Sequence, residues 1–489
     1  MSNQRIQLTG GLVLVENDRF ERVSILIEQD RIMALLPKGE VVETAQQVDA
    51  SDRLIIPGLV NGHTHSHGAL GRGGVAQDLP LEAFLSGAAW LNGQRSTDDL
   101  RLAAELSAAE LIRKGCTSCF DLFVELPGFS VEGIHTVARA YHDAGMRAVV
   151  APMIADQTLY QALPGLLDAF APPLRERVAA LALPDWQSTL TTCAQAIAHW
   201  PVPMDRVRPG IGPTIPLHCS DPFLQACAAL SVEHGLPLQT HLAETRMQQV
   251  MATRKYGRSL TAHLDALKVI GPRFSGAHGV WLSKPEADVL ARHGACICHN
   301  PMSNLRLGSG IAPVRMLADA GVTLGVGTDA SNTSDGQNMF EVLRLAATLS
   351  RAMTPEPEQW ISTREAFAMA TTGSARMLGL DRVGMIAQGW AADLLFLDAA
   401  YCHYTPLRSP LDQIVFAENG AALREVMVAG NYVFADDRIL TLDENALRDR
   451  ALEAQHRLDT ANNHTRLMNE AAAVIVQSFC RANCTAPIS

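Results

Sequence analysis

Two histidines one residue apart, His63 and His65, close the run Pro57-Gly-Leu-Val-Asn-Gly-His-Thr-His65. On a β-strand, side chains two apart share a face, so both imidazoles leave the strand's C-terminal end in one direction. Neutral imidazole is a favoured ligand of borderline divalent cations, so such a pair is the start of a metal site. By itself an HxH pair is a weak signal; its weight comes from where other polar groups fall. His241 ends the run Leu236-Pro-Leu-Gln-Thr240, His278 ends Phe274-Ser-Gly-Ala277, and Asp329 ends Val322-Thr-Leu-Gly-Val-Gly-Thr328. If these runs are strands of one parallel barrel, their C-terminal ends lie on one face, and residues dozens of positions apart converge. Taken alone, His241 or His278 reads as a satisfied core or surface histidine; five polar groups sharing one placement read as a metal site.

The elements that must do this positioning are visible as an alternation. From about Leu54 to Leu380 strand-like runs alternate with helical stretches, the pattern of βα units on a parallel sheet. The eight expected strands are Leu54–Asn61, Cys116–Leu122, Met146–Met153, Arg206–Gly212, Leu236–Thr240, Phe274–Ala277, Ala295–Cys298 and Val322–Gly327, with helices such as Thr97–Lys114, Asp221–His234 and Lys284–His293 between them. Eight strands over about 320 residues fit an α/β fold of the (β/α)8 TIM-like barrel type better than an open doubly wound sheet. Short strands also appear at both ends. Leu12–Val15, Val23–Ile27 and Arg31–Leu36 come early, with turns at Asn17-Asp18 and Gln29-Asp30; Asp393–Leu397, Val426–Ala429 and Tyr432–Phe434 come late. Neither group has enough strands to be stable alone, so the two ends are expected to pair into one small β-sandwich domain. The expected division is 1–56 and 381–440 for that domain, 57–380 for the barrel and 441–489 for a helical extension. Its amphipathic helix, from about Asp443 to Cys480, packs on the outside of the molecule or on another subunit.

Composition excludes several functions. The 489 residues carry 40 basic and 51 acidic side chains, a net charge of -11, which leaves no basic field for phosphate backbones or anionic lipid. No nucleic-acid partner and no membrane partner are expected. With 47% apolar and 19% charged residues, disorder is excluded as well. The opening segment lacks a cationic stretch followed by an apolar core, and no eighteen apolar residues run together, so a cytoplasmic protein is expected. The ten cysteines read as reduced core thiols. Cys116-x-x-Cys119 has no second CxxC to match it and suits strand burial better than a zinc or redox pair.

The site residues, with their neighbours, resemble the amidohydrolase superfamily in its metal-dependent deaminase and chlorohydrolase branch. The stretches that carry the resemblance are His63-Thr-His65 after Pro57-Gly-Leu-Val-Asn61, His241-Leu-Ala-Glu244-Thr245, Gly276-Ala-His278-Gly, Gly327-Thr-Asp329 with Ser331-Asn332, and the late Gly384-Met-Ile-Ala-Gln-Gly389-Trp-Ala-Ala-Asp393-Leu. The resemblance covers essentially the whole chain. It implies that His63, His65, His241 and Asp329 hold one divalent metal ion, usually zinc and sometimes iron, with His278 holding the attacking water or the developing oxyanion. Three neutral imidazoles and one carboxylate leave such a site near +1, enough to bring the pKa of water toward about 7. Asp329 then takes the water's proton, and Glu244 protonates the ring nitrogen beside the attacked carbon and passes a proton to the leaving ammonia.

A carboxylated lysine on the fourth strand, the usual bridge of two-metal members, is missing: no lysine occurs between Lys114 and Lys255. The mononuclear arrangement is therefore expected. The stretch Arg72-Gly-Gly-Val-Ala-Gln-Asp78-Leu-Pro-Leu81 looks like the corresponding segment of S-adenosylhomocysteine and methylthioadenosine deaminases and of triazine hydrolases. His67 stands where those relatives tend to have a small or apolar residue, and Ala330 where the deaminases commonly have Gly. His67, Trp90 and Asn304 are expected substrate-pocket residues, and His299-Asn300-Pro301 is expected to face the barrel mouth.

The implied activity is hydrolytic deamination of an aminated N-heterocycle of purine, pyrimidine or triazine type, a small-molecule substrate, with release of ammonia. Two alternatives use the same mononuclear site: loss of chloride or alkylamine from a triazine-like ring, or hydrolysis of a cyclic amidine. A third is a catalytically inactive binding protein of the same fold. The zinc cytidine-deaminase signature, H-x-E with P-C-x-x-C, is absent from the sequence. The resemblance also implies a homo-oligomer.

Overall fold

The apolar run leading to His63 and His65 forms two strands in two different sheets, Arg53–Pro57 and Leu59–His65. They part at Gly58, where a Cβ would come within 2.3 Å of the Thr117 hydroxyl. This corrects the single strand expected at Leu54–Asn61. Both pieces are buried on both faces, so no change of hydrophobic period marks the break. The computed structural model describes residues 5–16, 19–75 and 77–484, Glu16 by its backbone alone. The expected turn at Asn17-Asp18 lies outside the described residues.

From Leu59–His65 the parallel strands run in sequence order: Cys116–Phe123, Arg147–Ile154, Val207–Pro209 with Gly212–Pro213, Leu238–Leu242, Phe274–His278, Cys296–His299, and Thr323–Val326 with Asp329–Ala330. Each pairs with the next, the fourth and fifth through the bridge Ile211 to Leu238. The eighth returns to the first, with Asp329 opposite Thr64 and Ala330 opposite His65. This is the α/β fold with parallel sheets, of TIM-barrel type, that the alternation predicts. The fourth strand is two short pieces on either side of Gly210, whose Cβ would meet Val149 at 2.6 Å.

Four helices form one packed group. Two short ones follow the first barrel strand, α1 (Leu81–Leu85) and α2 (Ala88–Leu91). Next is α3 (Thr97–Arg113), started by a capping box between Ser96 and Asp99, each side chain closing on the other's backbone N–H. The last, α4, spans 41 residues, Glu444–Cys484. Its buried side chains Leu447, Ala454, Leu458, Asn462, Asn469, Ala473, Val476 and Cys480 recur at helical spacing. That stripe packs on this same chain, against α1, α2 and α3. Among the described residues no helix is long and apolar enough to cross a membrane.

The strands from both ends join in one ten-stranded sheet. Its order is Arg438–Ile439, Asn431–Ala435, Leu423–Val428, Leu394–Asp398, Arg53–Pro57, Leu12–Glu16, Arg19–Glu28, Arg5–Thr9 and Gln46–Asp49, with Arg31–Pro37 also paired to Arg19–Glu28. Arg53–Pro57 is where early and late strands meet, antiparallel to Leu394–Asp398. A separate apolar core including Ile25, Ile27, Ile32, Leu394, Phe396 and Met427 sits under this sheet. Sheet and barrel are also tied by charge. Arg147, on the third barrel strand, bonds Asp393 at 2.8 Å with both side chains buried, and Asp393 accepts the Ala429 N–H at 2.7 Å.

Candidate metal centre

His63, His65, His241, His278 and Asp329 come from the C-terminal ends of the first, fifth, sixth and eighth barrel strands. The imidazoles of His63, His65, His241 and His278 gather with ring centroids 4.6–5.5 Å apart in the pairs that touch. All five side chains are buried. His278 (φ 77°) and Asp329 (φ 61°), with Ala243 (φ 50°) two residues after His241, take the left-handed backbone region that costs a non-glycine residue about 1 kcal/mol or more. Such strain at three strand ends around one point is a mark of a functional site.

The hydrogen bonds around the rings fix which nitrogens carry protons. His65 Nδ1 lies 2.6 Å from the Leu122 carbonyl, and His241 Nδ1 meets the Thr214 carbonyl. A carbonyl only accepts, so both Nδ1 atoms donate, and in the neutral rings both Nε2 atoms are bare lone pairs. These two Nε2 atoms face each other at 3.2 Å. His63 Nδ1 lies 2.8 Å from Gln239 Oε1, and the amide is oriented by donating from Nε2 to the Gly62 carbonyl at 3.0 Å and to Ser275 Oγ at 3.1 Å. His63 Nε2 is therefore bare as well, and it has no hydrogen-bond partner. Asp329 Oδ1 stands 3.1 Å from His65 Nε2 and 3.6 Å from His63 Nε2. Mutually repelling lone pairs and a carboxylate, buried around one point, are groups that could hold a divalent cation, His63, His65 and His241 in one set and His63, His278 and Asp329 in an overlapping one.

The charge states of His63, His241 and His278 agree with this. Burial lowers His63 and His241 and brings His278 down to about 4, so these rings are neutral. For His65, burial is outweighed by Asp329, which raises it. Burial opposes ionisation of Asp329, yet the neighbouring imidazoles of His63, His65 and His278 together hold it well below the usual carboxylate range. Glu244 is pushed the other way. Burial first, then the Asp329 and Glu82 carboxylates, raise it well above an ordinary carboxyl, so it tends to keep its proton. Its Oε2 lies 3.7 Å from His278 Nε2, which itself lacks a hydrogen-bond partner and stands 3.9 Å from Asp329 Oδ2.

A cavity opens beside these groups. Its roof is apolar, with Leu81, Phe84 and Leu85 from α1 and Leu91 from α2; Asn92 and His67 also line it. His67 takes the place expected of it on this wall, its ring 5.3 Å from that of His65. Two other expected pocket residues are elsewhere. Trp90 does not line the cavity: α2 turns its ring outward, where the Arg466 guanidinium of α4 lies 5.3 Å above it. Asn304 is not on the wall either; its Oδ1 lies 2.9 Å from His278 Nδ1, which fixes that ring. His299 and Asn300 are buried behind the cavity instead of facing the mouth, Asn300 Nδ2 approaching His278 Nδ1 at 3.4 Å.

Several groups were missed in the sequence. Gln239 sits two residues before His241, on the same strand face, and that spacing was a usable signal. The Leu122 and Thr214 carbonyls carry none, since any residue type supplies a carbonyl. Asn61 Nδ2 donates to Thr328 Oγ1 at 2.7 Å and the Thr328 N–H returns a bond to Asn61 Oδ1 at 3.1 Å, locking the eighth strand to the first beside Asp329.

Comparison with known proteins points the same way. Residues 54–433 match the Amidohydrolase family. The chain is 32% identical over 452 residues to the 5'-deoxyadenosine deaminase of Methanothermobacter thermautotrophicus, covering 92% of this chain and 98% of that protein. It is 31% identical over 423 residues to the 5-methylthioadenosine/S-adenosylhomocysteine deaminase of Thermococcus kodakarensis, covering 86% and 92%. Among solved structures, a zinc-bound adenosine deaminase from Xanthomonas campestris aligns with a TM-score of 0.80 at 26% identity, covering 94% of this chain and 99% of that one. A zinc-complexed atrazine chlorohydrolase from Arthrobacter aurescens aligns at 0.79 and 25% identity, covering 93% and 99%. A histidine and aspartate cluster at the strand ends of a parallel barrel, in a chain matched over most of its length, thus places this protein in the amidohydrolase family.

Proposed function

We propose that the protein is a hydrolytic deaminase of an aminated N-heterocycle, with His63, His65, His241 and Asp329 as the ligands of a single zinc ion. The observation that carries this reading is the convergence of the His63, His65 and His241 Nε2 atoms and the Asp329 carboxylate beside a buried Glu244 whose Oε2 lies 3.7 Å from His278 Nε2, with Asp329 held below and Glu244 raised above the usual carboxylate range. The cation, when bound, supplies Lewis acidity that brings the pKa of water toward about 7. The chain's own groups do the rest. His278, its Nδ1 proton held by Asn304 Oδ1, accepts a hydrogen bond at Nε2 and so orients the attacking water. Asp329 accepts a proton through Oδ2, since Oδ1 already receives the Ala330 N–H at 2.7 Å. Glu244 gives its proton to the ring nitrogen beside the attacked carbon, which develops its C–O bond as that nitrogen is neutralised. A proton then passes to the amino group, the C–N bond breaks, ammonia leaves, and a ring carbonyl remains. The deaminase names of relatives matched over most of their length support the choice of leaving group.

A second reading keeps the same groups and changes the leaving group to chloride or alkylamine. The similarity to a zinc-complexed atrazine chlorohydrolase favours it. The test is product analysis of zinc-loaded protein against a panel of aminated and chlorinated purines, pyrimidines and triazines. Ammonia release from an aminated ring is expected; chloride or alkylamine release without ammonia from any member would replace deamination by the second reading.

The same reading assigns residues 57–380 to the metal-dependent barrel, 1–56 with 381–440 to a small domain folded as a β-sandwich, and 441–489 to a helical extension. The pairing of early with late strands supports that division. The proposal also includes a cytoplasmic homo-oligomer acting on a small molecule. Sedimentation of the purified protein checks the assembly, and a monomer mass at working concentration would remove that part.

A further inference from the structure

The cavity wall is unusually poor in charge for a pocket that must hold a polar ring, and this bears on what else the substrate carries. We infer that the substrate is an uncharged aminated heterocycle whose uncharged substituent ends in an apolar group, with no anionic or zwitterionic tail; the aminated ring itself rests on the deaminase reading above. No lysine or arginine is among the described residues that line the cavity, and the only carboxylates among them are Glu244 and Asp329, both at the proposed reacting centre. A substituent extending away from that centre meets Leu81, Phe84, Leu85 and Leu91 of the roof and Leu307.

Two cations beside the lining segments are occupied elsewhere. Arg95, behind the roof, donates to the His67 carbonyl and to the Leu91 carbonyl, each at 2.8 Å, pinning the segment after the first strand to α2. Arg306, on the flank, bonds Asp335 at 2.9 Å and the Gln77 carbonyl at 2.8 Å. A carboxylate or phosphate entering here loses its hydration without gaining a counter-charge, an arrangement that burial strongly disfavours.

Two polar atoms of lining residues point to what is favoured instead. His67 Nδ1 and Asn92 Oδ1 are buried with no hydrogen-bond partner. The amide oxygen accepts only, so it seeks an N–H: a ring N–H or a second amino group supplies one, whereas an anionic oxygen in the same place is repelled. Asn92 on the polar part of the wall therefore reads a nitrogen-bound hydrogen on a neutral ring, and the apolar part takes its substituent.

The test uses the full-length, zinc-loaded protein and its Glu244→Gln variant, which slows turnover so that binding is measured by calorimetry. Two matched pairs serve as probes: 5'-deoxyadenosine against adenosine 5'-monophosphate, and N-ethylmelamine against N-carboxymethylmelamine. The neutral member of at least one pair is expected to bind at least tenfold more tightly than its charged partner. A charged member binding as well as its neutral counterpart in both pairs, or binding by neither neutral member, overturns the inference. The Leu85→Arg variant is expected to move that preference at least tenfold toward the charged member; an unchanged preference means that the roof does not select, and also overturns it. Binding of the neutral ring without ammonia release by the wild-type enzyme would remove the deaminase reading and leave this inference standing.

Discussion

Gln239 does for His63 what two backbone carbonyls do for His65 and His241, holding Nδ1 so that Nε2 stays bare. Removing such an outer partner commonly lowers metal affinity by about 10- to 100-fold. Gln239→Leu is therefore expected to weaken zinc binding by that amount in competition with a chromophoric chelator, while His63→Ala loses bound metal and activity together. Stoichiometric metal in active His63→Ala would remove it from the ligand set. Glu244→Gln keeps its metal and lowers kcat by about 100-fold or more, the scale of a proton-transfer group; unchanged turnover would assign the proton elsewhere. At this scale the sequence was most legible where a residue ended an apolar run: His63, His65, His241, His278 and Asp329 all converge. Trp90 and Asn304, expected on the pocket wall, are not among its lining residues. Which way a side chain leaves a four-residue helix, or whether an amide faces substrate or a neighbouring ring, depends on tertiary packing that no local spacing encodes.

At the scale of elements, α4 braces the roof of the cavity from outside. Asn462 donates from Nδ2 to the Gly93 carbonyl just beyond α2 at 2.9 Å, and Arg457 bonds the buried Asp99 that caps α3. Gly93 has no room for a side chain, its Cβ position lying 2.4 Å from the Ala89 carbonyl oxygen. Cutting the chain before Asn462 is expected to raise KM by about tenfold with a smaller change in kcat, because in the proposed reading the roof binds substrate and does not touch the reacting atoms. Steady-state kinetics on the truncated protein separates the two, and an equal fall in kcat with unchanged KM would contradict this role. The barrel strands and the main helices were legible as alternation, and the α4 stripe as periodicity. The polar edge strand Gln46–Asp49 was not, since three of its four residues are polar and its pairing comes from Arg5–Thr9 alone. The switch of sheet at Gly58 was hidden by burial on both sides.

For the whole molecule, two ties carry the predictions. Arg147 and Asp393 join barrel to sheet with both charges buried, so Arg147→Met leaves a carboxylate uncompensated. Breaking a buried pair in this way typically costs about 3–5 kcal/mol, measurable as a lower midpoint in urea; a loss within about 1 kcal/mol would show the tie to be dispensable. The other tie is the proposed metal ion. A cation bound only by the folded chain stabilises it, so chelation is expected to lower the melting temperature along with activity, and zinc to restore both.

The union of early and late strands in one sheet sets a clock on biosynthesis. Ile55 pairs with Phe396, so its partner leaves the ribosome 341 residues later, a delay of about 20–70 s at about 5–20 residues per second. Throughout that interval the nascent chain carries a hydrophobic strand with an open edge, a template for association with other polypeptides. Chaperone capacity and translation speed, more than the final stability of the enzyme, then govern its soluble yield, and fragments ending before Leu394 keep that edge open permanently.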